Sequence, residues 1–118
     1  MMSTQAPGDL KASRIAVLPN GDVAQVILSE RTGPYAVTLR EAHARLHHGG
    51  TWTPWRLIVG DAHDISIAAD IGQQEATALV GVIVWVPAPG GVIAANHVSH
   101  RSKFYRLRAS GVTAAADL

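Results

Sequence analysis

Cysteine is absent. That excludes a disulfide framework and a thiolate, whether as nucleophile or as metal ligand. Aromatic residues are scarce at 5%, and half of them are tryptophan. Lysine is nearly missing as well: Lys11 and Lys103 are the only two, and arginine supplies the other cations. No charge sign dominates, since the formal net charge is +1. A surface built mainly for polyanions or polycations is thereby excluded. Long apolar runs are lacking too. The stretch 76–86 is apolar but stops at Pro87-Ala88-Pro89-Gly90-Gly91, well short of the roughly 20 residues a helical membrane span needs. Residues 1–9 have neither the basic segment nor the apolar core of a secretory signal. The expected location is the cytoplasm, or a virion if the chain is phage-encoded. There is no internal repeat, no Gly-rich phosphate loop, and no nucleophile-elbow context around Ser29, Ser66, Ser99 or Ser102.

What is present is enough apolar material for one domain. Hydrophobic residues make up 47% of 118, which supports a real core. The expected organisation is an extended N-terminal arm over residues 1–12, a β-rich domain over 13–110, and a loose tail over 111–118. Residues 13–18 and 23–29 read as strands rich in Val, Ile and Leu. Between them Pro19-Asn20-Gly21-Asp22 has the chemistry of a tight turn with glycine in the left-handed region. Ala24, Val26 and Leu28 then form one face. Further strands are expected at 35–37, 56–59, 64–69, 78–86, 92–98 and 103–109, with Gly60-Asp61-Ala62 as a turn. The β-branched Val80, Val82, Ile83, Val84 and Val86 favour strand over helix in their segment.

One segment departs from this pattern. Thr38 and Glu41 have the spacing of a capping box, and Gly49 sits where a helix would end. Leu39, Ala42, His43 and Leu46 fall on one helical face, and Glu41 and Arg45 are spaced for an ion pair. The expectation is a capped helix over 39–48. The fold class is then α+β, mainly β: a small barrel or sandwich of about eight short strands with one helix inserted after the third. The pattern Gly81-(x5)-Pro87, Gly90-Gly91 and His97 resembles the second half of a cupin barrel. The first cupin motif, with its paired histidines and glutamate, has no counterpart here. The resemblance therefore implies a β-barrel and no metal ligands.

Three constellations carry chemistry. His43 and His47 at helical spacing, with His63 and His97, are candidate metal ligands. No acidic residue lies between the first two, and a histidine on an apolar face is more often a core residue. Arg101, Lys103, Tyr105, Arg106 and Arg108 form a basic stretch with aromatics, as in single-stranded nucleic-acid platforms. In a strand, Arg101, Lys103 and Tyr105 would share one face and Arg106 and Arg108 the other. Trp52 and Trp55 flank Pro54 and are expected either to cover one end of the fold or to anchor a partner. Trp85 is expected in the core.

No catalytic residue and no cofactor is expected. The leading functional expectation is a non-enzymatic structural or assembly protein. It would form a homo-oligomer or join a larger complex through its N-terminal arm, and a small phage-particle component would fit. A ligand-binding barrel or a histidine-based metal enzyme is the alternative, and nucleic-acid binding through 101–108 the third reading.

Overall fold

The computed structural model describes residues 6–86 and 99–117. The strand expected at 92–98, and with it His97, lies outside them. Nine strands are found among the described residues: β1 (Asp9–Val17), β2 (Val23–Thr32), β3 (Thr38–His48), β4 (Thr51–Trp52), β5 (Arg56–Gly60), β6 (Ala62–Ala69), β7 (Ala78–Val86), β8 (Ser99–Arg108) and β9 (Gly111–Asp117). They make two antiparallel sheets. The first runs β1-β2-β3-β4, with β5 also on β3, and the second runs β6-β7-β8-β9. Each half of the chain thus folds into its own sheet. The crossing between them is the turn at Asp61, which takes a left-handed φ of 52° and accepts the Trp85 amide at 2.9 Å.

Each sheet has one apolar face, and the two faces bury each other. Ala24, Val26 and Leu28 of β2 and Ala42, Ala44 and Leu46 of β3 meet Ala62 and Ile65 of β6, Ala78, Val80, Val82 and Val84 of β7, and Leu107 of β8. The expected β2 face is therefore the core face. Many of these side chains are alanine, so the layers approach closely, and the molecule is only 19 Å thick along its short axis. Two stacked sheets fit that thickness. The sheets do not close into a barrel, so the barrel expectation, cupin-like or otherwise, gives way to an open two-sheet sandwich.

The helix expected over 39–48 is strand β3. It pairs with β2 along its whole length and with β4 and β5 on its other side. The signal that decides this is the alternation Ala42-His43-Ala44-Arg45-Leu46-His47, which puts every second residue in the core. A helix would bury Leu39, Ala42, His43 and Leu46 but turn Ala44 outward. The helical start and stop signals have other uses. Glu41 binds Arg31 across the strands at 2.8 Å rather than reaching Thr38 or Arg45. Gly49 and Gly50, with φ of 61° and 83°, form the tight turn into β4, the primed hairpin geometry that glycine supplies cheaply.

Other boundaries also move. The Pro19–Asp22 turn is as expected, with the Gly21 amide bonding Leu18 O and a left-handed φ of 91° at Gly21. Residues 9–12, expected in the arm, open β1. The tail expected to be loose is β9, hydrogen-bonded to β8. Residues 34–36 form a single 3-10 turn in place of a strand. Trp85 points away from the core, because β7 buries Val80, Val82 and Val84 on the opposite face.

Ala44 separates the two readings of residues 39–48. Its replacement by aspartate should cost more than about 3 kcal/mol, because it places an unpaired charge in the inter-sheet core. On a helix surface the same change would be nearly neutral. Urea denaturation of Ala44→Asp against the parent chain measures the difference.

Candidate functional site

The outer face of the first sheet concentrates the polar chemistry. Its side chains fall into rows across the strands, fixed by the register. One row holds Val17, Val23, His47 and Trp52. The next holds Ile15, Gln25 and Arg45. The third holds Ser13, Ile27, His43 and Leu57. The fourth holds Leu10, Ser29 and Glu41.

The second row is the most ordered. The Arg45 guanidinium lies 4.1 Å from the Trp52 ring centre and 4.3 Å from that of Trp55. Its Nε donates to Gln25 Oε1 at 2.8 Å, and Gln25 Nε2 donates to Ser13 Oγ at 3.0 Å. Three strands are thus joined through one cation. The two tryptophans reach it because the chain bulges between β4 and β5. Thr53 holds that bulge against β3, donating its amide to Leu46 O and accepting the Leu46 amide on Oγ1. Pro54, which cannot donate to a ladder, sits at this sheet edge, where proline is tolerated. Each cation–ring contact is worth about 0.5–1 kcal/mol at a partly exposed site. Burial lowers the Arg45 guanidinium from its ordinary value, but it stays charged. Trp55 Nε1 is buried without an acceptor among the described residues.

The third and fourth rows form a second network. Ser29 Oγ lies 3.4 Å from His43 Nδ1 and 3.4 Å from the Glu41 carbonyl. The Glu41 carboxylate accepts from Arg31 at 2.8 and 3.3 Å, and that bond holds its carboxyl below the usual range. Ser29 and His43 resemble a nucleophile and its base in composition only. Ser29 is 2% exposed, so no substrate reaches its hydroxyl, and Glu41 is engaged by Arg31 rather than by the ring.

Of the expected metal ligands, the described ones, His43, His47 and His63, form no common site. His43 and His47 are four residues apart on a strand, which separates them by about 13 Å rather than stacking them on one turn. His63 belongs to the second sheet, where its ring meets Trp85 at 4.6 Å and His100 at 5.0 Å. Among the described residues no group of three His, Cys, Asp or Glu side chains could hold a metal ion. His47 and His48, read as helix-terminal residues, have other neighbours. His47 packs edge-on to Trp52, and His48 Nδ1 lies 2.7 Å from Asp22 Oδ2.

The basic stretch is divided, as strand alternation requires. Leu107 and Tyr105 turn toward the core, with Lys103 and Arg101 following on the same side of β8. Arg106 and Arg108 lie on the other side and are engaged by the 70–77 loop. Arg106 bonds Asp70, while Arg108 bonds Thr77 and Gln73. On that outer side Phe104 lies over Gly81, where a Cβ would come within 2.5 Å of Ser66 Oγ. Ser66, Gly81, Ser102 and Phe104 line a shallow groove of about 220 Å³ there. Trp52 and Trp55 cover no barrel end; they grip Arg45. Gln25, Arg45 and Ser13 are the members of this face that sequence reasoning missed. The available signal was the alternation of residues 42–47.

What the fold and this face define is an open antiparallel β-sandwich with a polar-aromatic clamp on one outer surface. Compared with protein-family models, curated proteins and solved structures, the chain matches none. Among the described residues no helix is long and apolar enough to cross a membrane.

His43 gives the face a pH signature. Burial first, and then the Arg31 charge, hold its imidazole below the ordinary 6.5, with Glu41 opposing them. The unfolded chain therefore takes up this proton more readily than the fold does, so stability rises with pH across that interval. The His43 contribution is fully present above pH 6.5 and is lost as pH falls below it. Urea midpoints between neutral and mildly acid pH should decline for the parent chain and decline less steeply for His43→Phe. Parallel profiles would remove His43 as the cause.

Proposed function

We propose that this chain is a non-enzymatic assembly module that associates with further copies of itself through β1 and the outer face of the first sheet. The observation that carries the reading is the exposure of large apolar side chains along an edge strand. Ile15 is 63% and Val17 65% exposed, and among the described residues β1 pairs only with β2 within its sheet. Leu10 adds to the same line of side chains. Edge strands are usually shielded by lysine, proline or a bulge, because their free backbone groups pair readily with another chain. β1 has a bulge near Lys11, but Ile15 and Val17 lie beyond it. Residues 9–12 of the expected arm open this strand, which supports the arm's role in assembly. A two-fold pairing of copies would use the same patch on both partners and close on itself. The burial of Ser29 and the placing of His43 and His63 in different sheets favour this reading over catalysis.

Sedimentation velocity and light scattering over a wide concentration range supply the test. The mass should rise with concentration, and Ile15→Lys should weaken association by at least about tenfold, or 1.4 kcal/mol. A strictly monomeric parent chain at every concentration overturns the proposal. Ile15 is exposed, so its replacement should leave the fold intact, and circular dichroism checks that.

A further inference from the structure

We infer that Arg45 is the receptor for a carboxylate, carried as an acidic side chain on an extended peptide segment laid across the outer face of the first sheet. Three observations converge on it. The first is rigidity. Two indole rings at 4.1 and 4.3 Å and the Gln25 carbonyl at 2.8 Å hold the guanidinium, and Gln25 is itself tethered to Ser13. A planar fork held in advance loses little freedom on binding a carboxylate.

The second is the missing counter-charge. Arg31, Arg40 and Arg106 each have a carboxylate oxygen within 3.1 Å. Arg45 has none among the described residues, and only its Nε has an acceptor. The nearest acid on its strand face, Glu41, is bound to Arg31 and lies about 13 Å away along the strand. The two terminal nitrogens of Arg45 are therefore available for the paired contacts a carboxylate accepts.

The third is the surrounding surface. Ile15 ends the Arg45 row, Val17 ends the row on one side and Leu57 the row on the other. Leu57 is 58% exposed. A single cation amid exposed apolar side chains suits an acid flanked by apolar residues, as an extended peptide displays them. Ile15, Val17 and Leu57 are exposed at the ends of their rows, so a free small acid would leave them uncovered.

This site does not depend on self-association, and the experiment keeps the two apart. The tryptophan fluorescence of Trp52 and Trp55, isolated in a Trp85→Phe background, is followed in the full chain at the lowest and the highest concentrations of the sedimentation and light-scattering series. The probe is the acetylated, amidated peptide Ser-Leu-Glu-Leu-Ser, compared with its Gln counterpart and with acetate and inorganic phosphate. The expected result is a saturable change with the Glu peptide that weakens at least about tenfold with the Gln peptide or with Arg45→Gln. Discrimination between the two peptides should be the same at both protein concentrations. Equal binding of the two peptides, or no saturable change, overturns the inference. Acetate or phosphate binding as tightly as the Glu peptide overturns the peptide source. The peptide pair on the unmutated site keeps the test decisive even if Arg45→Gln fails to fold.

Discussion

Two half-apolar sheets that can bury their faces only against each other set the terms for everything else. β2 and β3 offer Ala24, Val26, Leu28, Ala42, Ala44 and Leu46, and β7 answers with Ala78, Val80, Val82 and Val84. Neither face could stay in water without a large hydrophobic cost. Because so many of these side chains are small, the two backbones approach closely. The same alternation that sends these residues inward sends Gln25, His43, Arg45 and Trp85 outward. Core and candidate site are two consequences of one period-two pattern.

Polar side chains tie the sandwich together at its margins. Arg56 of the first sheet donates to the carbonyls of Arg108 and Ala109 in the second. The 70–77 loop is held by Arg106, Arg108 and the Ser110–Glu75 bonds. Much of the basic stretch that suggested nucleic acid thus serves the chain's own loops. On the opposite face Arg45 is held by two indole rings and by Gln25, and among the described residues its charge meets no acid.

Much of the fold was legible in the residues. The Pro19–Asp22 turn, the core face of β2, the extent of β7 and the turn at 60–62 follow from local chemistry that tertiary contacts reinforce. Residues 39–48 carry a misleading local signal, because Thr38, Glu41 and Gly49 satisfy helix rules locally. Propensity is a weak prior, and it loses when a strand place between β2 and β5 buries Ala42, Ala44 and Leu46 together. The tail is a strand that its own residues do not announce, because alanines carry little strand propensity; pairing of Ala114 and Ala116 with β8 supplies it. At the site, Trp52 and Trp55 were visible as unusual, but their target was not. Arg45 reaches them only once β3 is a strand and the Pro54 bulge turns both rings onto its face.

By itself, then, the sequence determined a cysteine-free, mainly β domain with its tight turns and most of its alternating core faces. These follow from short-range sterics and from a side-chain period of two. Tertiary structure alone decided the state of residues 39–48, the open sandwich, and the meeting of Arg45 with Trp52, Trp55, Gln25 and Ser13. Each of those depends on contacts between segments distant in the chain. Their energies outweigh local preference only after the sheets have paired.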